Sequence, residues 1–109
     1  MKCASVIILF FLRINTVEYV KQFENDQVLA AYIKLMPYEE VGLHYDEYPA
    51  IVIALKGGVI TRLEADGSTT RVEFPTGKAI FRPAEGPEKM HKSVNDSSDY
   101  VEFIMIQIK

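Results

Sequence analysis

The sequence predicts an all-β protein whose strands form a sandwich, a jelly roll or a small barrel. Beyond residue 15 the chain consists of short apolar segments, several of which alternate with polar residues at the period of two that strands show. Turn residues separate these segments at regular intervals, and no stretch of helical period is long enough to predict a helix. A chain of 109 residues, about half of them apolar, is expected to form one packed domain.

The first two predicted strands form a hairpin. Thr16–Phe23 and Gln27–Met36 are rich in apolar residues, and the polar cluster Glu24-Asn25-Asp26 between them is typical of a turn. Pro37 ends the second strand because proline offers no backbone donor. The next strand, Ala50–Leu55, is almost wholly apolar, so we expect both of its faces to be covered.

A second hairpin follows the Gly57-Gly58 pair, which permits a tight bend. In Val59–Glu64 the side chains Val59, Thr61 and Leu63 alternate with Ile60, Arg62 and Glu64, and Thr70–Phe74 alternates in the same way. Asp66-Gly67 lies between the two runs and is a common hairpin turn. This is the strongest hairpin signal in the chain.

The remaining strands are shorter or later in the chain. Lys78–Arg82 is predicted as a short strand that leads into a loop from Pro83 to Pro87. Met90–Val94 and Tyr100–Ile108 are the last two predicted strands, joined by the polar turn Asn95–Asp99.

Residues 1–15 form a separate apolar segment, which we predict to be an added strand. The run Val6–Leu12 is rich in β-branched and aromatic residues, as buried strands are. A signal peptide and a mis-assigned start are the alternatives, but no small-residue cleavage site follows the run, which is too short to span a membrane. Such a strand would add to a sheet edge of its own subunit or of a partner, so we predict a homodimer.

Charge and cysteine content exclude several classes of partner. The chain has 15 acidic and 12 basic residues, and the basic ones are scattered singly. Nucleic acid and anionic membrane surfaces are therefore not expected as partners, because both require a clustered positive face. Cys3 is the only cysteine, so neither an internal disulfide nor a cysteine zinc cluster is possible, and a cytoplasmic location is expected.

The two histidines of the chain lie in positions that suggest a metal site. His44 follows Gly42 at the predicted start of a strand, and Asp46 lies two residues further on, where strand alternation puts it on the same face as His44. His91, after the Pro/Gly-rich loop, would complete a two-His-one-carboxylate set of the kind that holds non-haem Fe(II). A chance His-x-Asp pair, with Asp46 accepting backbone hydrogen bonds, is the alternative.

These residues belong to two longer patterns. The first pattern comprises Gly42, His44, Asp46, the strand Ala50–Leu55 and Gly57 or Gly58, and the second comprises Gly77, Pro83, His91 and Asn95. In this order, and with the hairpin between them, the patterns resemble the two sequence motifs of the cupin superfamily over nearly the whole chain after Thr16. The segments around Tyr48, Phe81 and Glu102 are also similar to a group of small stand-alone cupins. The resemblance implies a double-stranded β-helix, also called a jelly-roll barrel, over residues 16–109.

The resemblance also implies a divalent ion inside the barrel, such as iron, manganese, nickel or zinc. His44 matches the first metal ligand of the family and His91 the last, but Asp46 stands where a second histidine is usual. The family's glutamate ligand is missing, since Ala50 and Ile51 occupy its place. The path from Pro83 to His91 is also longer than the family's, which could move His91 to the rim.

Three further residues are candidates for binding a substrate. Arg82 could anchor a substrate carboxylate at the mouth of the barrel, although an ion pair with Glu73 or Glu64 is the commoner fate of such a residue. Tyr45 and Tyr32 could line the pocket, although aromatic residues in strands more often belong to the core.

Two functions follow from these candidates. The first is a metal-dependent enzyme, such as a dioxygenase, in which His44, Asp46 and His91 hold the ion and a small organic acid is the substrate. The second is a metal-free binding or regulatory module that only sequesters a small ligand. Bound metal in protein purified without a nickel-affinity tag separates them.

Overall fold

The computed structural model describes residues 17–109, which form two antiparallel β-sheets packed face to face. The strands are β1 (Glu18–Glu24), β2 (Val28–Leu35), β3 (Glu40–His44), β4 (Ala50–Lys56), β5 (Gly58–Glu64), β6 (Thr69–Phe74), β7 (Ala79–Arg82), β8 (His91–Val94) and β9 (Val101–Ile108). A single 3₁₀ turn, Pro87–Lys89, is the only helical element in this part of the chain. The all-β prediction is confirmed. The predicted strand over residues 1–15 lies outside the described residues.

The first sheet has the strand order β1-β2-β9-β4-β7, and the second has the order β3-β8-β5-β6. Neighbours in each sheet are mostly distant in sequence, so the chain passes repeatedly between the two sheets. The core between them contains Leu35, Ala54, Ile60, Val101 and Phe103. No helix among residues 17–109 is long and apolar enough to cross a membrane.

Both predicted hairpins form, and their turns explain why. Strands β1 and β2 pair as expected, and the side chain of Asn25 accepts hydrogen bonds from the backbone amides of Gln27 and Val28. Strands β5 and β6 pair around Gly67, whose φ of +91° is a conformation that favours glycine.

Two expectations about the strands were not met in the described part of the chain. Among residues 17–109, the second sheet packs on one face of strand β4, and Leu55 is 50% exposed, so these residues do not bury the apolar run on both sides. His44 ends strand β3 instead of starting a strand, and Asp46 lies beyond that end. The reason in both cases is that the residue pattern of one segment does not show which other parts of the chain pack against it.

Candidate metal centre

His44, Asp46 and His91 meet between the two sheets. One ligand atom from each of them lies within 4.8 Å of the others. The Nε2 atom of His44 is 3.6 Å from one carboxylate oxygen of Asp46, and the Nε2 atom of His91 is 3.7 Å from the other. These distances are longer than hydrogen bonds. They are close to the roughly 3.0–3.5 Å that separates two ligand atoms bound to the same ion at ordinary bond lengths.

The pairing of β3 with β8 brings the two histidines together. His44 lies opposite His91 in the register, and the two ring centroids are 4.4 Å apart. The register shifts between Val41 and His44, so that β3 accommodates an extra residue. The side chains of Val41 and His44 therefore both face inward. The shared side of His44 and Asp46 therefore results from this irregularity and from the non-strand segment after His44, and not from regular alternation.

Backbone carbonyls fix the tautomer of both rings. The Nδ1 atom of His44 lies 2.6 Å from the carbonyl oxygen of Gly42, and that of His91 lies 2.8 Å from the carbonyl oxygen of Lys89. A carbonyl oxygen only accepts, so each Nδ1 carries the hydrogen and donates it. Each Nε2 atom then keeps its lone pair toward Asp46, which is the tautomer and the orientation that a metal-binding histidine requires.

Burial favours the neutral form of His44. The side chain of His91 is 2% exposed and that of His44 is 13% exposed. Desolvation lowers the pKa of His44 below its usual value, and the nearby His91 acts in the same direction, while the bond to the Gly42 carbonyl opposes the shift. This shift favours the neutral imidazole, which is the state in which histidine binds metals.

A buried arginine, which the sequence analysis did not single out, lies directly behind the three residues. The guanidinium of Arg62 binds Glu64 at 3.0 Å and Glu85 at 3.2 Å, and it lies 4.0 Å from Asp46. Three carboxylates thus surround one cation, which leaves an excess of negative charge that a divalent ion would neutralise. The donor set and its charge therefore fit a divalent metal ion. The sequence did contain a signal, because alternation puts Arg62 on the same face as Ile60.

The longer loop before β8 does not displace His91. The backbone amide of Glu85 donates to the carbonyl oxygen of Asp46 at 2.7 Å, and the Glu85 side chain is held by Arg62. The loop is therefore tied to the site at two points, and His91 stays in the interior.

A cavity of about 140 Å³ opens next to the three residues. Ala50 lies opposite Arg82 and Gln107 in the first sheet, and all three line this cavity. Ala50 and Ile51 occupy the place where the resemblance implies a glutamate ligand, so at position 50 a methyl group lines the cavity instead of a carboxylate. A wider cleft of about 760 Å³ adjoins the cavity and shares Arg62 and Arg82 with it.

The three predicted substrate-binding residues have different positions. Arg82 lines both cavities, and within residues 17–109 it has no ion pair, since Glu64 pairs with Arg62 instead. Tyr32 lies on the outer face of the first sheet, where its hydroxyl donates to Glu102. Tyr45 does not line either cavity, whereas the neighbouring Tyr48 lines the smaller one.

No protein-family model matches the sequence, and no curated protein matches it either. Solved structures do match the fold. A cupin domain from Bordetella pertussis Tohama I has a TM-score of 0.77 at 20% identity, over 90% of this chain and 98% of that one. An RmlC-like cupin family protein with a double-stranded β-helix fold, from Methanocaldococcus jannaschii, has a TM-score of 0.63 at 21% identity, over 87% of this chain and 82% of that one.

The polyketide cyclase RemF from Streptomyces resistomycificus has a TM-score of 0.62 at 20% identity, over 84% of this chain and 64% of the cyclase. At these identities the similarity concerns the fold and not the activity. The two antiparallel sheets, the strand order and these structural matches agree: the chain has the small double-stranded β-helix fold of the cupins.

Proposed function

We propose that this protein binds a divalent metal ion through His44, Asp46 and His91 and acts on a small organic acid at the same site. The observation that carries the proposal is the convergence of two Nε2 lone pairs on one carboxylate inside a closed fold. Two histidines and one carboxylate are the ligands of non-haem Fe(II), although manganese, nickel and zinc accept the same donors. Such an ion, when bound, supplies Lewis-acid activation of water or, if it is iron, of dioxygen.

The ligand is proposed to be a small carboxylate held by Arg82. Within the described residues Arg82 has no carboxylate partner; it lies opposite Ala50 in the strand register, and both residues line the cavity. The cavity volume of about 140 Å³ equals that of roughly five water molecules at liquid density, so only a small group fits. Arg82 would orient the carboxylate toward the histidines, while Val52 and Phe74 exclude water from the cavity.

Metal content tests the first part of the proposal. Protein purified without an affinity tag, and then dialysed, should contain a divalent ion by mass spectrometry of the elements. Asp46→Ala and His44→Ala should lose the ion, whereas Glu47→Ala should retain it, because Glu47 is exposed and outside the cluster. A metal content that is equal in all of these folded variants would refute the site.

Calorimetric titration with acetate, lactate and malonate tests the second part. Arg82→Gln should weaken binding about tenfold or more, since a charge-assisted hydrogen bond contributes about 1.5–3 kcal/mol. Arg71→Gln is the matched control, because Arg71 lines only the wider cleft. Ala50→Glu should abolish binding by placing a carboxylate beside Arg82. Equal affinity in Arg82→Gln and the wild type would refute the role of Arg82.

A metal-free module that binds a small ligand is the second candidate. It is favoured by one observation, the alanine at position 50 in place of the glutamate ligand implied by the resemblance. Carboxylate binding that persists unchanged in Asp46→Ala and in the presence of chelator would support this candidate over the first. The homodimer and the cytoplasmic location remain predictions.

A further inference from the structure

The outer face of the first sheet carries two rows of apolar side chains, separate from the metal centre. In each row the strand register places one residue from each of the five strands side by side. The first row consists of Phe23, Ala30, Ile106, Ile51 and Phe81. The second row consists of Val20, Tyr32, Ile104, Ile53 and Ala79. We call these two rows the outer apolar face, and none of their residues lines either cavity.

Large side chains at both ends of the outer apolar face are open to solvent. Phe81 is 59% exposed and Phe23 is 53% exposed, and they lie on the two edge strands of the sheet. In the part of the chain that the structure describes, the second sheet packs only against the inner face of the first. A contiguous apolar patch on a protein surface indicates that something binds there.

The size of the outer apolar face fits one short segment. Five strands about 4.8 Å apart make each row roughly 24 Å long. Residues on one face of a strand are about 6.8 Å apart, so the two rows with their side chains are roughly 13 Å wide. The resulting area of about 300 Å² is less than half of the ~800 Å² that each partner buries in a standard protein–protein interface. The neighbouring row does not extend the apolar surface, because it consists of Glu18, Lys34, Glu102 and Lys56.

The sequence contains a segment of matching length and composition. Val6–Leu12 is a run of seven consecutive apolar residues. In an extended conformation such a run is about 23 Å long and roughly 10 Å wide. It therefore has the length of one row and most of the width of the two rows together.

The start of the described chain puts this run within reach of the outer apolar face. Val17 directly precedes β1, which is an edge strand of the first sheet. Glu18 lies in the charged row, and Val20 of the outer apolar face follows two residues later, about 7 Å along the strand. Residues 13–16 join Leu12 to Val17, and four residues span up to about 13 Å. Leu12 can therefore reach the outer apolar face at the β1 edge, with Arg13 beside the charged row.

We propose that Val6–Leu12 packs across the outer apolar face of its own chain, from Phe23 on β1 toward Phe81 on β7. The run covers the two exposed phenylalanines and the outer side of β4, which residues 17–109 leave open. This arrangement covers the face of the sheet, in contrast to the addition of a strand at its edge. It does not depend on the proposed metal function, since the outer apolar face is separate from both cavities.

Paramagnetic relaxation enhancement in the full chain tests this arrangement. Cys3 is the only cysteine and lies three residues before the run, so it takes a nitroxide label without any substitution. The label should lie at the β7 end of the outer apolar face, where it broadens the NMR signals of nearby nuclei. The signals of Ile51 and Ala79 should therefore be lost in the labelled protein and return when the nitroxide is reduced. The signals of Leu63, on the outer face of the second sheet, should remain.

A matched pair of variants shows whether the apolar contact holds the run in place. Phe81→Glu puts a carboxylate into this contact, so it should displace the run and restore the signals of Ile51 and Ala79 in the labelled protein. Leu63→Glu is the control, because Leu63 is an exposed apolar residue of the opposite sheet. It should leave the signal loss unchanged. Circular dichroism would establish that both variants are folded.

Three results would overturn the proposal. The first is that the signals of Ile51 and Ala79 are as strong as those of Leu63 in the labelled wild type. The second is that their loss persists unchanged in Phe81→Glu. The third is that their loss appears in isotope-labelled chains without nitroxide when these are mixed with nitroxide-labelled chains, because the segment of a neighbouring molecule then covers the face. Signal loss within one chain that Phe81→Glu relieves and Leu63→Glu does not would support the proposal.

Discussion

Asn95 should be among the residues on which stability depends most, and Asn95→Ala measures this. The side chain is fully buried, and its amide nitrogen lies 3.2 Å from the carbonyl oxygen of Leu35, 3.3 Å from that of Met36 and 2.8 Å from that of Asp99. Its carbonyl oxygen accepts from the hydroxyl of Ser97 at 2.8 Å. One side chain therefore joins the end of β2 to the turn between β8 and β9.

The expected loss follows from these bonds. Each hydrogen bond contributes about 1 kcal/mol net, and the truncated residue also leaves buried carbonyls without a donor, so the total should be about 3 kcal/mol. For a domain of this size that loss corresponds to a melting temperature lower by roughly 12–24 °C. Because β8 carries His91, loosening of this turn should also weaken metal binding.

Urea denaturation followed by circular dichroism measures the loss, and Asn95→Asp is the control for volume. Aspartate has nearly the same shape but replaces the donor by an acceptor that faces three carbonyl oxygens, so it should be at least as destabilising as alanine. A loss below about 1 kcal/mol in Asn95→Ala, or an Asn95→Asp variant as stable as the wild type, would refute this account of Asn95.

Three other predictions have clear expected outcomes. Arg62→Leu leaves the carboxylates around it without their cation. Since these carboxylates are partly exposed, the free energy of unfolding should fall by about 2–3 kcal/mol in a urea titration. An unchanged unfolding midpoint would contradict this expectation. The hydrogen bond to Glu102 raises the pKa of Tyr32 to about 12 in the folded protein. The stability that this hydrogen bond contributes is therefore present below pH 10 and is lost between pH 10 and 12. Urea titrations across that range should show this loss in the wild type and not in Tyr32→Phe. Gly57→Ala should cost about 3 kcal/mol because a methyl group there overlaps the carbonyl oxygen of Phe74, whereas Gly42→Ala, with open space around it, should melt with the wild type.

The sequence predicts the local parts of the fold better than the long-range ones. The hairpins of β1 with β2 and of β5 with β6 could be predicted because their turn residues lie between the paired strands. The placement of β9 between β2 and β4 could not, since no local pattern specifies which distant strand is its neighbour. The expectation that Ala50–Leu55 is covered on both faces was not met among residues 17–109 for a related reason: no local pattern specifies what packs on each side of the strand.

The candidate site was predictable in its members and not in its geometry. The chain has one His-x-Asp pair, His44 with Asp46, and one other histidine, His91. Composition alone therefore singles out these three residues. The irregularity in β3 that turns His44 inward and the Arg62 cluster behind Asp46 depend on contacts between distant strands. Such contacts are outside what alternation along one segment can specify.

The substitutions that distinguish this site from the cupin motifs are linked by charge. Where the resemblance implies a glutamate ligand, the chain has Ala50, and opposite Ala50 lies Arg82, which has no carboxylate partner among residues 17–109. A glutamate at position 50 would take up part of the cavity that Arg82 also lines, so the alanine leaves open volume in a cavity lined by an arginine without an ion-pair partner. The carboxylate of a bound ligand can occupy this volume and pair with Arg82 in place of a glutamate side chain at position 50. The same substitution that argues for an eroded metal site therefore also favours a site that its small acidic ligand completes.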